Sequence, residues 1–194
     1  MTETLTATAL CAGLNPDLAQ RVYRAIVDAF ARPGIPVTLP DTAFPPVLLP
    51  TLALADLETG VHLLGAGEWD AVVAVATAAP TVDLEDARFV TAVRRPTAEE
   101  FGSVTVGTPL SPESGATVIC AVDALTGGDT VELTGPGVRG SVGFAPTGFD
   151  PALWTVRNRL VAGFPAGIDL LFVALDGGLV GLPRTTVVAT GKAN

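Results

Sequence analysis

Leu18, Val22, Ile26 and Phe30 recur every four residues after "LNPD", with Arg21, Arg24 and Asp28 on the other faces, until "RPG" interrupts the series. That spacing predicts an amphipathic helix over residues 16–32. "IPVTLP" follows as a short extended segment, and "VLLPTLALADLETG" reads as a largely buried helix ended by Gly60. "VHLLGA" has the pattern of a buried strand, and the run from Trp69 through "DAVVAVATAA" that of a helix stopped by Pro80. "RFVTAV" is the next strand, and "PTAEEFGS" a short helix with Glu99 and Glu100 in its first turn, where they suit the helix dipole. "GTPLSPESG" is a loop.

From Ala116 the texture changes. "ATVICAV", "DTVEL", "VRGSVGF", "IDLLFVAL" and "TTVVAT" are β-branched segments separated by Gly, Pro and Asp, and one helix, "DPALWTVRNRLVAG", intervenes with Asp150 as its cap and Pro151 at its first position. Helices alternating with apolar strands in the first half predict a three-layer α/β fold with a central sheet covered on both faces. The β-rich second half predicts added antiparallel strands. A chain of 194 residues suits one domain over 1–194.

The hairpin around "DGG" in "FPAGIDLLFVALDGGLVGLPRTT" has two possible registers. An Asp176-Gly177 turn sets Asp169 opposite Arg184, whereas a Gly177-Gly178 turn sets Arg184 opposite Leu171. Ile168, Leu170, Phe172 and Ala174 share one face in either case, and Asp169 begins the other. A carboxylate in that position needs a partner, and Arg184 is the candidate.

Composition narrows the chemistry. Twenty acidic residues against eleven basic give a net charge of −9, so the mean field repels nucleic acid and anionic membranes, and any anionic ligand needs arginines gathered locally. The basic residues are ten Arg and the single Lys192, which stands too near the end of the chain to serve as the Schiff-base lysine of a pyridoxal phosphate enzyme. His62 is the only histidine; neither Cys11 nor Cys120 stands at metal-ligand spacing from it and no G-x-S-x-G elbow presents a serine to it, so it reads as a structural residue. Cys11 and Cys120 lack metal-ligand spacing, and two cysteines do not hold an iron-sulfur cluster that wants four; they are expected to be reduced thiols. No basic leader or membrane-length apolar run is present, so a cytoplasmic location is expected.

Three further motifs resolve into turns. "GPGVRG" matches the dinucleotide fingerprint in form, but Gly143, Pro146 and Gly148 preclude the helix that must follow, so a turn between antiparallel strands is expected. "TGGDT" lacks the Lys of a phosphate loop, and "DLEDAR" lacks the calcium-loop pattern and reads as a solvated turn.

Four segments, "YRAIVDAFARPG", "GTPLSPESGAT", "LTGPGV" and "FPAGIDLLFVALDGGLVGLPRTT", occur in the order and spacing of the motifs of the H subunit of bacterial carbon-phosphorus lyase, and the chain resembles that PhnH family. Tyr23 stands where the family usually has Phe, and residues 72–100 carry no motif of it.

The resemblance implies a fold like the large domain of pyridoxal phosphate-dependent transferases without the cofactor, and no bound cofactor or metal of its own. It implies a homodimer joined to subunits of the G, I and J types in a complex, an α-D-ribose 1-methylphosphonate 5-triphosphate synthase. That complex couples a phosphonate to the ribose of ATP with loss of adenine, ahead of carbon-phosphorus cleavage by a separate radical iron-sulfur component. In such a complex this chain would be scaffold, dimer core or cleft wall, with no catalytic residue. The alternative is a stand-alone phosphonate- or phosphate-binding protein or enzyme with an arginine-lined cleft. The residues singled out for anion binding or for structure are Arg24, Glu113, Arg139, Asp169 and Arg184.

Overall fold

In a computed structural model, residues 13–191 are described. The chain forms a six-stranded sheet in the order β1-β8-β7-β4-β3-β2 and a three-stranded sheet in the order β6-β5-β9. The strands are β1 (Val37–Thr38), β2 (Val61–Leu64), β3 (Phe89–Ala92), β4 (Thr117–Val122), β5 (Val131–Thr134), β6 (Val142–Phe144), β7 (Asp169–Ala174), β8 (Gly178–Leu182) and β9 (Val187–Thr190). Strands β2, β3, β4 and β7 run parallel, while β8 and β1 are antiparallel additions at one edge.

Helix α1 (Pro16–Ala31) starts where the Asn15 side chain accepts from Leu18 N–H at 2.9 Å and Pro16 supplies a preset φ. It buries Val22, Ile26 and Ala29 against the sheet. A Cβ on Gly181 of β8 would stand 2.9 Å from the Ala29 backbone, so only glycine lets the helix lie this close. Helix α2 (Leu49–Leu54) follows a 3₁₀ turn at Pro46–Leu48. It does not run to Gly60 as the apolar pattern predicts. Ala55 is extended, and Asp56 and Thr59 close a turn of their own, with Glu58 N–H donating to Asp56 Oδ1 at 3.0 Å and Asp56 N–H to Thr59 Oγ1 at 2.8 Å. Side chains that bond the local backbone compete with helix propagation. Helix α3 (Trp69–Thr77) stops three residues before Pro80, at left-handed Ala78.

These three helices cover one face of the main sheet, with Leu48, Val73, Phe89, Ile119, Leu171 and Leu179 among the buried contacts. Helix α4 (Ala98–Ser103) and helix α5 (Ala152–Leu160) cover the other face together with the small sheet. A capping box starts α4: Thr97 Oγ1 accepts from Glu100 N–H, and the Glu100 carboxylate accepts from Thr97 N–H. At α5, Asp150 Oδ1 accepts from Ala152 N–H at 2.9 Å. Phe144, Phe149, Trp154 and Phe172 pack edge-on or tilted between this layer and the sheet, with ring centroids 4.7 Å apart for Phe149 and Trp154 and 5.0 Å for Phe149 and Phe172. The two faces of β7 follow strict alternation: Leu170, Phe172 and Ala174 enter this second core, and Leu171 and Val173 the first.

The hairpin adopts neither expected register. Pairs such as Leu170 with Leu182 and Val173 with Leu179 leave a three-residue loop, Leu175–Gly177, instead of a two-residue turn. Gly177 takes a positive φ, its N–H donates to Ala174 O, and Asp176 Oδ1 accepts from Gly178 N–H. The aspartate thus serves the turn through its side chain, a local bond that the strand pattern does not encode. "GPGVRG" is the turn between antiparallel β5 and β6, with Gly135, Gly137 and Gly140 at positive φ.

Candidate functional site

The parallel strands give the sheet two distinct ends, and the charged residues divide between them. At the N-terminal end, Asp169 opens β7 and its carboxylate is gripped by Arg184. Oδ1 accepts from the Arg184 backbone N–H at 2.7 Å, Oδ2 from Nη2 at 2.6 Å, and Nε lies 3.2–3.3 Å from both oxygens. The remaining guanidinium nitrogen, Nη1, donates to Pro112 O at 2.7 Å and Pro165 O at 3.2 Å. All three guanidinium nitrogens are thereby engaged within the fold, and the two side chains are 13% and 20% exposed. The contact forms although the ladder does not set these residues opposite each other. Pro183 ends β8, and Arg184 turns back over the strand end.

Neighbouring backbone packs closely around this pair. A Cβ on Gly115 would fall 2.2 Å from Gly167 O, and one on Gly167 would fall 3.3 Å from Arg184 Cβ. Arg88, just before β3, donates to Gly115 O and to Thr117 Oγ1. Burial pulls its guanidinium below the ordinary value, with Asp169 acting the other way. Arg157 of α5 is 1% exposed and donates to Pro183 O at 2.9 Å and to Asn158 Oδ1 at 3.3 Å. Burial brings it down to about 10, opposed by Asp169. The sequence reading missed Arg88 and Arg157. The signal available for Arg157 was its place in "ALWTVRNRL", three residues from Trp154 on one face of an amphipathic helix. Glu113 is exposed in a 3₁₀ turn, Pro112–Ser114, and contributes a favourable field at Arg88.

The C-terminal end of the same sheet holds an open cleft of about 840 Å³. Its walls come from α1, β1 with the segment after it, and the Leu175–Gly177 loop. Arg24 lies here with Arg21, beside the loop at the opposite end of β7 from Asp169. Arg139 is in neither place: it is exposed in the β5–β6 turn. The arginines considered for one anion-binding cleft therefore occupy three separate positions.

His62 Nδ1–H donates to Val82 O at 2.9 Å, which fixes the ring against the edge of the sheet. Cys120 is buried, and desolvation pushes its thiol up to about 12, so it is held as an unreactive thiol. Cys11 and Lys192 fall outside the described residues. Among the described residues no group of three or more His, Cys, Asp or Glu stands ready to hold a metal ion, and no helix is long and apolar enough to cross a membrane.

The motif segments are the ones packed against one another. "GTPLSPESGAT" and the "FPAGID" and "LPRTT" ends meet at the Asp169–Arg184 pair. "ARPG" meets "LTGPGV", where a Cβ on Gly137 would stand 2.6 Å from Ala31 O and one on Gly34 would stand 2.7 Å from Leu133 Cδ1. The family model described as "Bacterial phosphonate metabolism protein (PhnH)" matches residues 14–189, which is the whole of this framework. The chain belongs to the PhnH family. It is 35% identical over 184 residues to a Rhizobium meliloti (strain 1021) protein named alpha-D-ribose 1-methylphosphonate 5-triphosphate synthase subunit PhnH, covering 87% of this chain and 88% of that one. It is 32% identical over 171 residues to the putative C-P lyase subunit protein HtxG of Stutzerimonas stutzeri, covering 86% and 84%. The motif segments thus coincide with places of close glycine packing and with the pair in which the Arg184 guanidinium is bonded within the fold.

Proposed function

We propose that this chain is the PhnH-type subunit of a carbon-phosphorus lyase complex in phosphonate catabolism. The observation that carries the reading is the family match over residues 14–189 together with relatives that are themselves named as subunits of the synthase or lyase. Within the complex the chain serves as scaffold and cleft wall, and the chemistry resides in other subunits. Support for this division of labour comes from Arg184, whose donors are spent on Asp169 and two carbonyls, and from Cys120, the buried unreactive thiol.

In this reading the protein acts in the cytoplasm as a homodimer with subunits of the G, I and J types. Tyr23 and Val27 support an assembled state: they lie one turn apart on α1, 53% and 46% exposed, and leave apolar surface for a neighbouring chain. Affinity purification of the tagged protein from phosphate-starved cells tests the assignment. The companion subunits are expected to co-purify in stoichiometric amounts, and their absence under conditions that keep the chain folded would overturn it.

A further inference from the structure

The cleft at the C-terminal end of the sheet brings together two cations with nothing to hold. Among the described residues Arg21 and Arg24 make no salt bridge and no side-chain hydrogen bond. They are three residues apart on α1, a spacing that places two side chains on one helix face, and both line the cleft. Two of the three carboxylates nearby are already engaged: Asp28 pairs with Arg32 at 3.6 Å, and Asp176 accepts from Gly178 N–H at 2.9 Å within its turn. Asp41 is the remaining one. The apolar lining is built from buried Leu39 and Phe44, and Phe44 is held by Trp69 at a centroid distance of 6.4 Å.

The volume, about 840 Å³, is within the range of small-molecule sites, and the position beyond the carboxyl ends of parallel strands is where open α/β sheets take up ligands. We infer that this cleft binds a small organic phosphate or phosphonate, with its tetrahedral oxyanion between Arg21 and Arg24 and its apolar body against Leu39 and Phe44. Two guanidinium groups converging on one dianion supply charge-assisted, multidentate hydrogen bonds that a single arginine does not. Asp41, with Asp28 and Asp176 close by, repels extended polyanions, which selects a ligand with one compact charged group. The apolar lining favours an organic ligand over inorganic phosphate. The inference rests on the cleft alone and is independent of the subunit assignment.

Calorimetric titration of the purified protein with phenylphosphonate and, separately, with inorganic phosphate tests it. One-to-one binding of phenylphosphonate is expected, with inorganic phosphate at least about tenfold weaker, a difference of about 1.4 kcal/mol. Arg21→Gln and Arg24→Gln, both at exposed positions that leave the fold intact, are each expected to weaken phenylphosphonate about tenfold or more, while Arg139→Gln leaves it unchanged. Absence of heat up to millimolar ligand, equal affinity for the two anions, or equal losses in the Arg139 variant would overturn the inference. So would a result in which the Arg21 and Arg24 variants lose partner subunits on co-purification while the wild type binds neither anion, since the cleft would then be a protein contact.

Discussion

Two places at opposite ends of one sheet, the Asp169–Arg184 pair and the open cleft, use arginine in opposite ways. At the N-terminal end Arg184 has every guanidinium nitrogen bonded inside the fold, and Arg88 and Arg157 are turned toward backbone carbonyls, so positive charge there closes strand ends and loops onto each other. At the C-terminal end Arg21 and Arg24 stand exposed on a helix beside an open cleft. Residue type is the same; what differs is the number of acceptors within reach. A saturated, desolvated guanidinium is a structural element that is costly to disturb, whereas an unpaired solvated one costs little to keep and is available to a ligand.

The sharpest way to break the contrast is at the saturated end. Asp169→Ala leaves Arg184 mostly buried without its counter-charge and is expected to lower stability by about 3 kcal/mol. The measurement is urea denaturation, combined with Arg184→Ala in a double-mutant cycle. The pair is expected to couple strongly, so that the double variant loses far less than the sum of the single losses. Additive losses would show that the two residues act separately.

An intermediate effect is expected from Glu100, which is near the C-terminal end but locked into a local network. Its hydrogen bond with Arg94, at 2.5 Å, and then the Thr97 backbone hold its carboxyl down at about 2. A carboxyl with a folded value below its unfolded one contributes stability that is complete above the unfolded value of 4.5 and is lost as pH falls toward about 2. Stability profiles of the wild type and Glu100→Gln are therefore expected to differ above pH 4.5 and to converge between pH 4.5 and 2. A constant offset through that window would show that the carboxylate charge plays no part.

The smallest effect is expected where arginine is unpaired. Arg21→Gln and Arg24→Gln should each change unfolding stability by no more than about 0.5 kcal/mol, the usual range for surface substitutions. A loss comparable to that of Asp169→Ala would mean that the cleft arginines are framework residues after all.

Much of the architecture was legible in the chain because period and punctuation are local. The four-residue spacing of Leu18, Val22, Ile26 and Phe30 gave α1, Glu99 and Glu100 in a first turn marked α4, and the β-branched runs marked the strands. The failures arose where a side chain bonded its own backbone. Asp56 and Thr59 ended α2 early, and Asp176 converted a two-residue turn into a three-residue loop. Arg88 and Arg157 were not recognisable as buried because their acceptors, Gly115 O and Pro183 O, lie 27 and 26 residues away.

The sequence by itself determined the α/β class, the faces of β7 and the family, since each depends on residue identity and spacing along the chain. Tertiary structure alone decided which arginines are spent and which are available. That outcome depends on acceptors brought together by the packing of distant glycines, and Arg24 and Arg184 carry the same side chain into two environments that linear spacing does not distinguish.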